Sequence, residues 1–209
     1  MLSARSRAAL RAQAVRLRER VGRGGVDPRD VAWSLASTRT LFEQRAVVRC
    51  GGREELLAGL DAVAAGAGSV GGVVRGSAVR GRGVGVLFTG QGAQWVGMGR
   101  ELYEGGGVFA EVLDEVLSVV GVVGGRSLRE VMFADPGGDV GGLLSRTEFA
   151  QPALFALEVA LFRALEARGV GVSVVLGHSV GEVVAAHVAG VLSLGDAVRL
   201  VVARGGLMG

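Results

Sequence analysis

Residues 172–184 read VSVVLGHSVGEVV and contain three different local patterns in succession. The run 172–176 is apolar and rich in β-branched residues, which is typical of a buried strand. A serine flanked by small residues follows at 177–181, and a helical pattern starts at Glu182. A strand, a sharp turn and a helix in this order place the Ser179 hydroxyl over a helix N-terminus, where amides and the helix dipole favour negative charge. The sequence therefore predicts a nucleophilic serine, the alternative being a tight Gly-Ser turn without chemistry.

When a serine attacks a carbonyl, the oxyanion that forms needs two hydrogen-bond donors. One is normally the amide of the residue after the nucleophile, here Val180, and the second usually comes from an earlier strand-to-helix loop. The apolar strand pattern Val84–Phe88 runs directly into Thr89, Gly90, Gln91 and Gly92. We therefore expect the Gln91 amide to be the second donor, unless these glycines only tighten a turn.

Neither of the two histidines is expected to activate the serine. His178 is adjacent to Ser179, so its side chain leaves the turn in a different direction. His187 lies eight residues downstream on the following helix, about 12 Å away at ~1.5 Å per residue. A general base must approach the proton that it takes to about 3 Å. Both histidines are therefore predicted to be structural, and the chain is expected to be incomplete as a serine enzyme.

An arginine on the last predicted helix, residues 196–207, is a candidate for binding an anion. Arg204 follows Val201 by three residues and Leu200 by four, so it is predicted to share their apolar side, whereas Arg199 faces away. An inward-facing guanidinium requires a negative partner. A substrate carboxylate would satisfy it. A solvated arginine at a helix end remains the alternative.

The order of patterns along the chain indicates two domains of the α/β class. A Gly-, Ser- and Arg-rich segment at 66–83 is typical of a flexible connection and separates residues 1–82 from residues 83–209. A helix–strand alternation precedes it, and the strand at 172–176 and the strand at 84–88 suggest a mainly parallel sheet beyond it. The predicted helices cover residues 3–21, 28–35, 54–65, 109–120, 152–168 and 196–207, and a further strand covers residues 46–50.

Composition excludes several classes of protein. The 209 residues are 49% hydrophobic and 21% charged, which is globular composition, and 37 glycines without a three-residue period exclude collagen. The single cysteine, Cys50, cannot form an intrachain disulfide, which fits a reducing compartment. The most apolar stretch, 172–194, is interrupted by His178, Glu182 and His187, so no membrane span is expected. These observations predict a cytoplasmic protein.

The basic charge of the first part is interpreted as a solvated surface. Residues 1–82 carry 15 arginines against 7 acidic residues, and residues 83–209 carry 8 against 13. A basic region can bind nucleic acid, but only Trp33 and Phe42 could stack on bases there. No nucleic-acid partner is therefore expected.

Several blocks of the sequence resemble the malonyl-CoA:ACP acyltransferase domain of modular type I polyketide synthases, preceded by the ketosynthase-to-acyltransferase linker. Residues 3–6 and 8–10 are similar to the linker. The blocks similar to the acyltransferase are FTGQGAQW at 88–95, GMG at 97–99, QPALFA at 151–156, GHSVGE at 177–182, AAHVAG at 185–190 and ARG at 203–205. The resemblance covers nearly the whole chain.

This resemblance implies an incomplete α/β-hydrolase-like core after a small α/β linker subdomain. It implies that Ser179 is acylated, that Gln91 and Val180 form the oxyanion hole, and that Arg204 holds the free carboxylate of the extender unit. The implied substrate is malonyl-CoA, because the apolar Val180 after the serine and the segment FALEV at 155–159 resemble malonyl-selecting members of the family more than methylmalonyl-selecting ones. No metal and no permanently bound cofactor are implied.

The implied partners are an acyl carrier protein, whose phosphopantetheine thiol accepts the malonyl group, and the adjoining ketosynthase and other synthase domains. The family's catalytic histidine and its small ferredoxin-like subdomain would lie beyond Gly209, so the resemblance implies an N-terminal part that is inactive alone. Two rival functions use the same sequence features. One is a serine hydrolase or thioesterase, and the other is a non-catalytic remnant or docking module.

Overall fold

The computed structural model describes residues 1–67, 71–79, 81 and 83–208. The contacts within the chain divide it into two compact units, Met1–Arg82 and Gly83–Gly209. In the described part of the chain, no helix is long and apolar enough to cross a membrane.

The first unit combines an antiparallel sheet with helices. Its described elements are β1 (Leu2–Ala4), α1 (Arg7–Gly22), α2 (Pro28–Ser37), β2 (Gln44–Val48), α3 (Arg53–Ala65) and β3 (Val73–Ser77). The strand order is β1-β2-β3, and both neighbouring pairs are antiparallel. Side chains from α1, α3 and β2 form its core, including Leu10, Ala46 and Leu60.

Side-chain caps determine where the first helices begin. The Ser6 hydroxyl accepts a hydrogen bond from the Ala9 amide at 3.1 Å, so α1 starts after residue 6, and the predicted start at residue 3 is wrong. Residue 3 belongs to β1 instead. The predicted start at Pro28 is confirmed, because the Asp27 carboxylate accepts from the Arg29 amide and proline occupies the first helical turn.

The predicted connection at 66–83 contains a strand that the sequence analysis missed. Val73–Ser77 pairs with β2 along its whole length, and Val73 is buried in the first core. The strand is hard to predict from the sequence because it lies among glycines. Its formation depends on backbone pairing with the distant strand β2, which local composition does not indicate. Residues 68–70, 80 and 82 of the same connection lie outside the described residues.

The second unit is built around two parallel strands and a long central helix. Its described elements are β4 (Val84–Phe88), α4 (Arg100–Glu104), α5 (Val108–Val120), β5 (Val122–Val123), β6 (Arg126–Ser127), α6 (Leu128–Met132), α7 (Asp139–Gly142), a 3-10 turn (Leu143–Ser145), α8 (Thr147–Ala167), β7 (Val172–Gly177), α9 (Val180–Val188) and α10 (Leu194–Leu207). The short β5–β6 pair is an antiparallel hairpin separate from the parallel strands.

Helix α8 forms the centre of this unit and packs against α5, α9 and α10. Its residues 149–160 are buried on nearly all sides, with Phe149 and Phe155 at or below 1% exposure, whereas Leu161 and Leu165 are exposed. The helix begins at Thr147, five residues before the predicted start, so Pro152 lies in its second turn. The burial of Phe149 against the core explains the earlier start, since tertiary packing outweighs the local signal of the proline.

The parallel pair brings two strand ends to the same edge. In the register of β4 and β7, Phe88 lies opposite Gly177, and the His178 amide donates to the Phe88 carbonyl at 3.1 Å. Phe88 is buried, whereas Leu87 and Leu176 on the other face are 78% and 58% exposed. Because both strands end at this edge, the loop after β4 and the turn after β7 leave the sheet side by side, which is where α/β proteins place their sites.

Candidate functional site

Ser179 has the backbone conformation of a strained turn between strand and helix. Its φ of 57° and ψ of −115° make it the one non-glycine residue with positive φ among those that the structure describes. Such a conformation costs about 1–3 kcal/mol and persists only where the surrounding packing enforces it. The turn joins the last residue of β7 to the first turn of α9, as the sequence pattern predicts.

The flanking glycines are required by close backbone contacts. A Cβ on Gly177 would lie 2.0 Å from the Gly181 carbonyl oxygen. A Cβ on Gly181 would lie 2.6 Å from the carbonyl oxygens of both Phe88 and Thr89. A side chain at 177 would force the turn itself open, and one at 181 would push the turn away from the end of β4, so the small residues hold Ser179 beside the end of the sheet.

The two predicted oxyanion donors lie in the two segments that leave this edge. Val180 is the first residue of α9 and is fully buried. Gln91 lies in the loop after β4, where Gly90 packs so closely that a Cβ on it would be 2.6 Å from His178 Nδ1. The amides of Gln91 and Val180 donate no hydrogen bond to another described residue, and the Gln91 side chain instead donates to Thr147 Oγ1 at 3.2 Å. Neither amide is therefore paired with another group among the described residues.

Arg204 contacts the serine directly. Its Nη2 donates to Ser179 Oγ and its Nη1 to Gln151 Oε1, both at 2.8 Å. Gln151 is 1% exposed in α8 and holds the guanidinium from the protein side. No carboxylate of the described residues lies within 4 Å of this guanidinium. The Arg204 guanidinium thus places a positive charge next to Ser179, and its hydrogen-bond partners among the described residues are neutral.

The helical argument for the direction of Arg204 is correct in one part and wrong in another. Val201 is buried and the Arg199 side chain is 80% exposed, as predicted. Leu200, however, is 47% exposed, so it does not mark the inner side. The buried side of α10 runs through Ala197, Val198, Val201 and Gly205, and Arg204 lies at its edge. Arg204 contacts the site because α10 packs beside α8, which carries Gln151, and beside α9, which Ser179 precedes.

Neither histidine contacts Ser179. His187 Nδ1 bonds the Leu192 carbonyl oxygen at 3.1 Å, and its ring packs 5.8 Å from that of Phe155. His178 is exposed and contacts Gly90 through its ring. Among the described residues, the hydrogen-bond partner of Ser179 Oγ is Arg204, which cannot accept a proton.

Two polar residues of α8 were not identified from the sequence. Gln151 belongs to the QPALFA block but had no assigned role. Glu158 is 8% exposed, and its Oε1 accepts hydrogen bonds from the Thr89 amide and the Thr89 hydroxyl, both at 2.7 Å. Burial raises the pKa of the Glu158 carboxyl, and the two bonds from Thr89 partly offset this. A single acidic residue within an otherwise apolar helix face was the available signal for Glu158.

Two family profiles together match most of the chain. The profile described as "Acyl transferase domain" matches residues 86–209. The profile described as "RhiE-like, KS-MAT linker domain" matches residues 1–67.

Curated relatives are large synthases. The chain is 56% identical over 208 residues to polyketide synthase GfsB of Streptomyces halstedii, and 53% identical over 209 residues to mycoketide-CoA synthase of Mycobacterium tuberculosis (strain ATCC 25618 / H37Rv). These matches cover 99% and 100% of this chain but 4% and 5% of the relatives. The chain therefore spans only a small fraction of the proteins that it resembles.

Solved structures show the same relationship. The acyltransferase domain from module 8 of the salinomycin polyketide synthase matches with a TM-score of 0.81 and 40% identity, over 99% of this chain and 48% of that one. Malonyl CoA-acyl carrier protein transacylase from Clostridium perfringens matches with a TM-score of 0.53 and 37% identity, over 61% of this chain and 38% of that one. The predicted α/β fold class and the predicted membership of the acyltransferase family are thereby confirmed. This chain belongs to the acyltransferase domain family of type I polyketide synthases, with a ketosynthase-to-acyltransferase linker region before the domain.

Proposed function

We propose that this chain provides the acyl-serine half of a malonyl transfer from coenzyme A to an acyl carrier protein. Ser179 Oγ attacks the thioester carbonyl of malonyl-CoA, the carbon–sulfur bond breaks, and coenzyme A leaves as its thiol. The phosphopantetheine thiol of the carrier protein then attacks the malonyl ester, and the Ser179 hydroxyl is restored. The solved relatives, which include a malonyl CoA-acyl carrier protein transacylase, support this reaction.

The oxyanion of each tetrahedral intermediate is stabilised by the amides of Val180 and Gln91. Both amides are free of other partners in the described structure, and Val180 begins α9, whose dipole adds positive potential. The proton that Ser179 releases needs a base other than the two histidines of this chain. Residues 1–209 alone are therefore proposed not to turn over.

The contact between Arg204 and Ser179 carries this proposal. The guanidinium lies 2.8 Å from the nucleophile, is held by buried Gln151, and has no carboxylate partner within the described residues. A malonyl ester on Ser179 has a free carboxylate only a few bonds from the serine oxygen, and the arginine fork can bind it. A hydrolase or thioesterase with the same serine turn has no need of such a receptor.

A malonyl rather than a methylmalonyl extender unit is proposed, and the acyl carrier protein and an adjoining ketosynthase are the proposed partners. The apolar Val180 after the nucleophile supports the first. The linker match at residues 1–67 supports the ketosynthase neighbour.

The test uses residues 1–209 joined to the part of the salinomycin module 8 domain that this chain does not match, here termed the joined domain. After incubation with malonyl-CoA, intact-mass analysis is expected to show one malonyl adduct, absent from Ser179→Ala. Ser173→Ala is the control, since Ser173 is an exposed serine on the preceding strand. An undiminished adduct in Ser179→Ala would contradict the assignment of the nucleophile.

A further inference from the structure

Glu158 is a buried acidic residue whose position the transfer mechanism above does not explain. Among the described residues, Glu158 and Gln151 are the polar or charged residues that are buried. The Oε2 of Glu158 is buried and has no hydrogen-bond partner among the described residues. A buried carboxyl with one unsatisfied oxygen lowers stability, so an apolar residue there would serve the core better. Residues that break the packing rules in this way are concentrated at functional sites.

Both hydrogen bonds that Glu158 accepts come from Thr89, the first residue of the loop at 89–92 after β4, which we call the oxyanion loop. Glu158 Oε1 accepts from the Thr89 amide and from the Thr89 hydroxyl, 69 positions away in sequence. Thr89 follows the last residue of β4 and precedes Gln91 by two residues. The carboxyl therefore holds the residue at which the chain leaves the strand and turns toward the proposed donor.

Thr89 is also in contact with the serine turn. Its carbonyl oxygen lies so near Gly181 that a Cβ there would be 2.6 Å from it. The next residue, Gly90, packs on His178. The loop is thus held between α8, through Glu158, and the turn that carries Ser179.

We propose that Glu158 is a positioning residue for the oxyanion hole, which holds the Gln91 amide in place by fixing Thr89. It does not touch the reacting atoms and acts through the loop. This inference rests on the proposed acyl transfer. An amide donor misplaced by about 1 Å loses roughly 100-fold in rate, and loss of one oxyanion donor costs about 100- to 1,000-fold.

Two substitutions separate positioning from packing. Glu158→Leu removes both acceptor bonds but fills the same apolar surroundings, so we expect the fold to be retained. Glu158→Gln keeps a carbonyl oxygen that can accept from the Thr89 amide and hydroxyl. Glu166→Gln and Glu166→Leu are the matched controls, because Glu166 lies on the same helix with its carboxylate exposed.

The kinetic arm measures malonyl transfer by the joined domain, per folded protein. In Glu158→Leu, kcat is expected to fall about 10- to 100-fold while the KM for malonyl-CoA changes little, because Arg204 is untouched. The kcat of Glu158→Gln is expected to stay close to that of the wild type. Unchanged kcat in Glu158→Leu, or equal loss in Leu and Gln variants, would overturn the proposal.

The second arm does not depend on activity. Hydrogen exchange followed by mass spectrometry is expected to show faster exchange in peptides covering residues 88–92 of Glu158→Leu, with unchanged exchange in α9. Unaltered exchange at 88–92 would overturn the positioning role by itself. If the wild-type joined domain forms no adduct at Ser179, the acyl-transfer function fails, and the exchange arm still decides whether Glu158 holds the loop.

Discussion

Replacing Arg204 by alanine removes the charged group that, within the described part of the chain, hydrogen-bonds to Ser179. The guanidinium makes two hydrogen bonds of 2.8 Å, to Ser179 Oγ and to Gln151 Oε1. In the acylated enzyme, the same group would pair with the malonyl carboxylate. Truncation of one member of a buried, hydrogen-bonded charge pair costs about 2–5 kcal/mol. At ~1.36 kcal/mol per factor of ten, kcat/KM for malonyl-CoA should fall about 30- to 5,000-fold.

The assay compares malonyl-CoA with acetyl-CoA as donors to a carrier protein, using the joined domain. Acetyl-CoA has no free carboxylate, so its transfer is expected to fall less than malonyl transfer in Arg204→Ala, or to rise. Arg199→Ala is the matched control, because this arginine lies on the same helix and its exposed side chain pairs with Asp196. That control should leave both donors unchanged.

An equal loss with both donors would refute the carboxylate role of Arg204. It would mean that the arginine supports the structure around Ser179 rather than the charge of the substrate. A loss of malonyl transfer in Arg199→Ala as large as in Arg204→Ala would also refute the reasoning, since it would show that any change on helix α10 has this effect.

Three further predictions follow from the contacts described above. Residues 1–209 expressed alone should not transfer malonyl groups, because neither histidine reaches Ser179; robust transfer that His178→Ala or His187→Ala abolishes would show this exclusion to be wrong. Gly181→Ala should lower the free energy of unfolding by about 1–3 kcal/mol, since its Cβ would meet two carbonyl oxygens at 2.6 Å, whereas Gly195→Ala, with open space around it, should be neutral or stabilising in thermal unfolding. Burial raises the pKa of the Glu158 carboxyl in the folded state, so above about pH 4.3 this group stays protonated in folded protein where it has already ionised in unfolded protein. The free energy of unfolding of the wild type should therefore fall relative to that of Glu158→Gln as the pH rises from about 4.3 through the folded pKa. Parallel pH profiles of the two proteins would contradict this.

The local geometry of the serine turn was predictable from the sequence. Glycines at 177 and 181, a strand pattern before them and a helix pattern after them are all features of adjacent residues. The backbone of Ser179, with φ of 57°, follows from this local order. The start of α10 was close to its predicted place for the same reason, since Ser193 caps it through the Asp196 amide, three residues away.

The partners of the serine turn depend instead on how distant segments pack. Arg204 is 25 residues from Ser179 and 53 from Gln151, and Glu158 is 69 from Thr89. Helical periodicity correctly placed Arg204 near buried Val201, but it also placed the arginine beside Leu200, which is exposed. Periodicity alone cannot say which side of α10 faces α8 and α9. The sequence alone therefore determined the strand–turn–helix pattern that predicts Ser179 as the nucleophile, the glycines around it and the family resemblance. Only the tertiary structure decided that Gln151 contacts Arg204 and that Glu158 contacts Thr89, because both contacts form when α8 packs against segments far from it in the chain.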